Sequence, residues 1–149
     1  MAQTKTIVIG CLALALLAGA LVVCAVGGIF MLGINAVVDK AEQAGVEFGK
    51  STDQQGCQDE ALRRLRAALK SPDLIKRHEV SVFLNGCFQS CKPTVGYCTN
   101  APKQDAFFST LEWSKSQCMK EGFGDDHDCP DIFIEVSNAC LGKTPRLQK

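Results

Sequence analysis

Residues 6–38 read TIVIGCLALALLAGALVVCAVGGIFMLGINAVV: thirty-three positions without a charge, with every residue from Ile7 to Ile34 apolar, Gly or Cys. A helix rises about 1.5 Å per residue, so roughly 20 apolar residues cross a bilayer core about 30 Å thick. The run is long enough to cross with some tilt. It predicts a transmembrane anchor helix over 6–34, preceded by a short cytoplasmic N-terminus, 1–5.

A cleaved secretory signal is the alternative. Ala18-Gly19-Ala20 and Val23-Cys24-Ala25 are small-residue sites where one could be cut. The apolar part of a signal runs about 7–15 residues, however, and this one continues through Val26-Gly27-Gly28-Ile29-Phe30-Met31-Leu32. Val8-Ile9-Gly10-Cys11 has the form of a lipoprotein cleavage box, but the few residues ahead of it are too short for an export signal.

Two features orient the chain. Lys5 is the only basic side chain before the run, whereas Asp39, Glu42 and Glu47 offset Lys40 and Lys50 after it, a slight positive-inside bias. The remaining seven cysteines all come after residue 50, and such usage fits an oxidising compartment better than a reducing cytosol. Together these put the N-terminus in the cytoplasm and the C-terminal part in the periplasm or outside the cell.

Within the run, Ala20, Cys24 and Gly28 recur every four residues, a small-residue face by which two helices could pair as a homodimer. Cys11 and Cys24 read as small apolar fillers. Beyond it, Val37, Ala41, Ala44 and Phe48 form a stripe on a polar stalk over 35–52, suited to a second copy or to the chain's own domain. Gly45 and Gly49 suggest a hinge near its end.

The remainder predicts an all-α domain over 53–142, with a polar tail at 143–149. Ser51-Thr52-Asp53 offers caps for a helix with Cys57, Ala61, Leu65 and Ala68 on one face. Ser71-Pro72-Asp73 restarts the chain, with Ser71 as cap. The helix expected from Leu74 to Cys91 carries Ile75, Val82, Phe83 and Cys87, although Val80-Ser81-Val82 also reads as strand. A third runs from about Gln104 to Glu121 with Phe107, Leu111, Ser114 and Cys118 aligned, ended by Gly122. Pro130 opens a fourth, aligning Phe133, Val136 and Cys140 and ended by Gly142.

Cys57, Cys87, Cys91, Cys98, Cys118, Cys129 and Cys140 are the disulfide candidates, and seven leaves one over. Cys118 and Cys129 bracket a short turn. Cys87 or Cys91 could reach Cys98 across the Pro93–Gly96 loop, which would leave Cys57 to join Cys140. Cys87 and Cys91 also stand at i, i+4, where two sulfurs share a helix face and could bind copper(I) or zinc, or work as a redox dithiol. No Cys-x-x-Cys motif accompanies them.

Asp125-Asp126-His127-Asp128 lacks the alternating oxygens and distal Glu of a calcium loop and reads as a solvated turn before a helix N-terminus. His78 reads as a partly buried helix residue. A basic segment (Arg63, Arg64, Arg66, Lys70, Lys76, Arg77) and an acidic one (Glu121, Asp125, Asp126, Asp128, Asp131, Glu135) could face each other or meet partners. Beyond the run, 15 basic side chains balance 16 acidic ones, with one Trp and one Tyr, which argues against nucleic acid.

No catalytic, cofactor or metal motif stands out, so the balance is against an enzyme. The expectation is a single-pass membrane protein in the bilayer, acting as an accessory or interaction module for a protein partner in a membrane or envelope complex. Thiol-based redox or metal handling by Cys87 and Cys91, and a secreted cysteine-rich ligand or inhibitor, are the alternatives.

Overall fold

The computed structural model describes residues 36–103 and 106–144. The expected anchor at 6–34, its small-residue face at Ala20, Cys24 and Gly28, and the segment 1–5 lie outside the described residues. Among those described, no helix is long and apolar enough to cross a membrane. The chain divides between Val37 and Val38, and the helical domain is the second unit.

The described residues are all-helical: α1 over 36–49, which begins two residues before the second unit, α2 Gln54–Ala68, α3 Leu74–Ser90, a 3-10 turn Tyr97–Asn100, α4 Phe107–Lys120 and α5 Cys129–Cys140. Asp53 caps α2, its carboxylate accepting from the Gly56 N–H at 2.9 Å and satisfying one of the orphan donors of the first turn. The 3.6-residue stripe then does what periodicity demands: Cys57, Ala61, Leu65 and Ala68 are all buried.

Helix α3 begins at Leu74, as expected, with a different cap from the one its punctuation suggested. Ser71 is not the cap; Asp73 is, accepting from the Ile75 N–H at 3.0 Å, while the Ser71 hydroxyl accepts from the Asp73 N–H at 3.3 Å. Proline disfavours helical geometry in the residue before it, so Ser71-Pro72 forms the approach and the helix begins after Asp73. Val80-Ser81-Val82 is helix, not strand: Val80, Phe83, Leu84, Cys87 and Phe88 all turn inward, a helical spacing that a strand's alternation cannot produce.

Helices α4 and α5 end as their glycines require. The Phe123 N–H reaches the Cys118 carbonyl and the Gly122 N–H the Met119 carbonyl, and the same pair of bonds closes α5 at Lys143 and Gly142. Gly122 and Gly142 stand at φ 80° and 70°, left-handed backbone that a side chain would strain.

The core is shared by α2, α3 and α5, with Leu62, Leu65, Leu84, Ile132, Phe133 and Val136 meeting at its centre. Helix α4 packs chiefly on α5, where Trp113 meets Phe133 edge-on at 5.9 Å between ring centres. Its expected inner face begins one turn late: Ser114 and Cys118 are buried, but Phe107 is 69 % exposed. Ile75 is likewise exposed at the start of α3.

Helix α1 is not hinged at its glycines. Gly45 and Gly49 lie against α3, where a Cβ on Gly45 would stand 2.0 Å from the Phe83 carbonyl oxygen and one on Gly49 2.5 Å from that of Cys87. Gly86 returns the contact, since its Cβ would meet the Glu42 carbonyl oxygen at 2.3 Å. Three missing side chains therefore let two backbones touch. Ser90 Oγ donates to the Val46 carbonyl at 2.7 Å, Gln89 Nε2 to Glu42 Oε1 at 2.7 Å, and Phe48 packs on Phe83. The expected stripe is correspondingly rotated: Phe48 reaches the core, whereas Ala44 is exposed.

Candidate functional site

Chemistry in this domain is concentrated in its cysteines. Three disulfides form: Cys57–Cys87, Cys98–Cys140 and Cys118–Cys129. The first joins α2 to α3, the second ties the 3-10 turn to the end of α5, and the third closes the turn between α4 and α5. Cys57 therefore does not join Cys140, nor does Cys98 join Cys87 or Cys91. Antiparallel packing of α2 along α3 brings Cys57 and Cys87 to a Cα separation of 5.8 Å, inside the range a disulfide spans. The loop after α3 then carries Cys98 round to Cys140, 5.4 Å away between Cα atoms.

Cys91 lies outside these bridges, half-buried one turn after Cys87, with its sulfur 3.9 Å from the Phe88 carbonyl oxygen. The i, i+4 pair is thereby split: Cys87 is fully buried and bonded to α2, so in this structure it presents no thiolate for metal or exchange. No group of three or more His, Cys, Asp or Glu side chains suited to a metal occurs among the described residues.

The loop beside Cys91 is knitted to α2. Lys92 pairs with Thr52 and Gln54 through backbone bonds, and the Gln54 side chain accepts from the Thr94 N–H at 3.0 Å. Tyr97 donates its hydroxyl to Gln58 Oε1 at 2.6 Å, and burial pushes the phenol well above its ordinary range. A phenol so held is a structural donor, not a base near neutrality.

The acidic turn is also used internally. Asp126 accepts from the N–H groups of Asp128 and Cys129 at 3.0 and 2.9 Å, covering the positive end of α5. Asp128 pairs with Arg77 at 3.0 Å, and Arg66 donates to the Glu121 carbonyl at 2.8 Å while lying over the Phe123 ring. The basic and acidic segments thus face each other at these two points. Partial burial, and then the neighbouring Asp128, raise the Asp131 carboxyl above its ordinary value. His78 is exposed on α3 and His127 on the turn; the partial burial expected of His78 fails because its side of the helix faces solvent.

Glu60 is the most perturbed carboxylate. Arg63 donates to it twice, at 2.7 and 2.6 Å, and Arg64 once at 2.9 Å. The Arg63 bond chiefly, opposed by desolvation and helped by Arg64, holds its pKa at about 2 against an ordinary 4.5. Arg64 in turn lies 3.6 Å from the centre of the Phe83 ring, so the cluster seals one edge of the core. A folded pKa below the unfolded one gives stability that is complete above pH 4.5 and lost as pH falls toward 2. Glu60→Gln should therefore unfold at lower denaturant than wild type at neutral pH, with the gap closing across that acid window. A gap independent of pH would remove the charge from the explanation.

Two open clefts of about 400 Å³ mark the surface. One is lined by Asn100, Pro102, Lys103, Ser109 and Trp113, the other by Asp39, Glu42, Glu47 and Gln89. In the first, Ser109 donates its hydroxyl to the Ala106 carbonyl at 2.9 Å; the lining of the second holds no Ser, Thr or Cys side chain. Comparison of the chain with protein-family models, with curated proteins and with solved structures found no match.

Proposed function

We propose that this chain is a membrane-anchored, non-enzymatic interaction module, with its disulfide-braced helical domain in the periplasm or outside the cell. The observation that carries the reading is the conjunction of three disulfides, two of them wholly within the core, with an uncharged run long enough to cross a bilayer. Disulfides persist where thiols are not continually reduced, and an N-terminal anchor delivers the domain beyond it to that side. The domain then acts by presenting a rigid helical surface to a protein partner. Ala20, Cys24 and Gly28 provide a face by which anchors could pair within such a complex.

Carbonate extraction, N-terminal sequencing of the mature chain and protease accessibility in intact cells or spheroplasts test this directly. The chain should stay in the membrane pellet, keep the residues ahead of Ile7, and be cut only from the exoplasmic side. A carbonate-released product starting near Leu21 or Val26 would replace it with the secreted ligand or inhibitor.

A further inference from the structure

The three bridges differ in what they join and in what can reach them. Cys57–Cys87 lies within the part built from α1, α2 and α3, and Cys118–Cys129 lies within the α4–α5 hairpin. Among the described residues only Cys98–Cys140 crosses between these two parts, tying the 3-10 turn after α3 to the last residue of α5. The cysteines of the first two bridges are 0–1 % exposed, whereas Cys98 and Cys140 are both half-buried. Thr99 and Asn100 beside Cys98 and Gly142 after α5 are open to solvent as well. A thiolate must reach a sulfur to exchange with it, so the crossing bridge is the labile one and the buried two resist.

Without that bridge, only packing and polar contacts hold the hairpin down, apart from the chain joining Asn100 to Phe107. Its apolar grip is Ile132, Phe133 and Val136 against Leu62, Leu65 and Leu84. Around them Arg77 pairs with Asp128 at 3.0 Å, Asn85 donates to Glu135 at 3.1 Å and Arg66 donates to the Glu121 carbonyl at 2.8 Å. None of these polar ties is fully buried, and such ties hold weakly. The covalent loop closed by Cys98–Cys140 contains the whole hairpin, so this bridge sets the effective concentration at which the hairpin docks on α2 and α3.

We propose that Cys98–Cys140 is a redox latch: its selective reduction lets the α4–α5 hairpin lift off α2 and α3 as a unit, while the two buried bridges keep each part paired. The reductant is an external dithiol. One of its thiolates attacks a sulfur of the bridge, forming a mixed disulfide and releasing the other cysteine as a thiolate that takes up a proton. The second thiol of the reductant then displaces the remaining cysteine, which is protonated in turn. Two electrons and two protons have passed to the protein, and the reductant leaves as a disulfide. Oxidation by another disulfide reverses the change. Opening bares Ile132, Phe133 and Val136 and so alters the surface the domain offers to a partner. The latch acts whether or not the chain is anchored in a membrane.

The test uses the full chain in detergent micelles, with any thiols already present blocked by N-ethylmaleimide. Limiting dithiothreitol is added under native conditions, and the thiols it releases are trapped with iodoacetamide and located by peptide mass mapping. Cys98 and Cys140 should be trapped at least tenfold faster than Cys57, Cys87, Cys118 and Cys129. In the singly reduced form, amide exchange should accelerate at least tenfold over α4 and α5 and much less over α2 and α3. Oxidised glutathione added to an untrapped sample should restore the protection. Release of all six cysteines together, or of another bridge first, overturns the latch. Unchanged protection in the singly reduced form overturns it too, because the hairpin then stays docked without the bridge. Equal loss over α2, α3 and α5 overturns it as well, since the domain is then unfolding as a whole. Protection that oxidised glutathione does not restore overturns the reversibility of the switch.

Discussion

Reduction of the three disulfides is expected to unfold the domain at room temperature. A crosslink stabilises by restricting the unfolded chain, and closing the 30-residue separation of Cys57–Cys87 or the 42-residue separation of Cys98–Cys140 corresponds to about 3–4 kcal/mol each. Cys118–Cys129, 11 residues apart and nested inside the second loop, corresponds to about 3 kcal/mol at most. The terms do not add fully, but their combined scale rivals the roughly 5–15 kcal/mol that holds a domain together. Trp113, the single tryptophan, packs against Phe133 and reports the core between α4 and α5. Its emission should lose its unfolding transition in reductant, and Cys57→Ala with Cys87→Ala should lower the denaturation midpoint more than the Cys118–Cys129 pair does. Superimposable melts with and without reductant would show that the bridges contribute nothing to stability, and the compartment argument would go with them.

Adding one methyl group at Gly45 is expected to destabilise the domain, by about 2–3 kcal/mol, even though alanine is the better helix former by about 1 kcal/mol. The two effects have opposite signs, which makes the experiment decisive. On an unpacked stalk, Gly45→Ala would stabilise. Against α3, the new Cβ meets the Phe83 carbonyl oxygen and the Cys87 nitrogen, backbone atoms that cannot swing aside like a side-chain tip. The helices must separate, and with them go the Ser90–Val46 and Gln89–Glu42 bonds and the Phe48–Phe83 contact. Amide exchange of α1 should accelerate while that of α2 and α5 changes less. Ala44→Leu, one residue away on an exposed position, should be close to neutral. Equal behaviour of the two variants would mean that α1 does not pack where the structure puts it.

Gly45 also shows where sequence reasoning reached its limit. Glycine in a helical pattern has two meanings, weakness and close approach, and only the neighbour decides which applies. The Gly45–Gly49 spacing was a signal for close packing, but the surface receiving it, the α3 backbone at Phe83 and Cys87, lies more than thirty residues away.

Local chemistry made the rest of the helical frame legible: Asp53 before α2, Gly122 and Gly142 after α4 and α5, and the inward stripe of Cys57, Ala61, Leu65 and Ala68. Each depends on residues within a turn or two of one another, so the chain order contains the whole cause. The uncharged run 6–38 and the placement of seven cysteines after it belong to the same class, and they alone carry the reading of an anchored, oxidised protein. What only the tertiary structure decided are matters of distance between remote residues: that Cys57 meets Cys87 and Cys98 meets Cys140, that Arg66 and Arg77 meet the acidic segment, and that Phe107 and Phe108 are left outside. Periodicity states which residues share a face but not which face meets which. That choice is made by the packing of α2, α3 and α5 around one core.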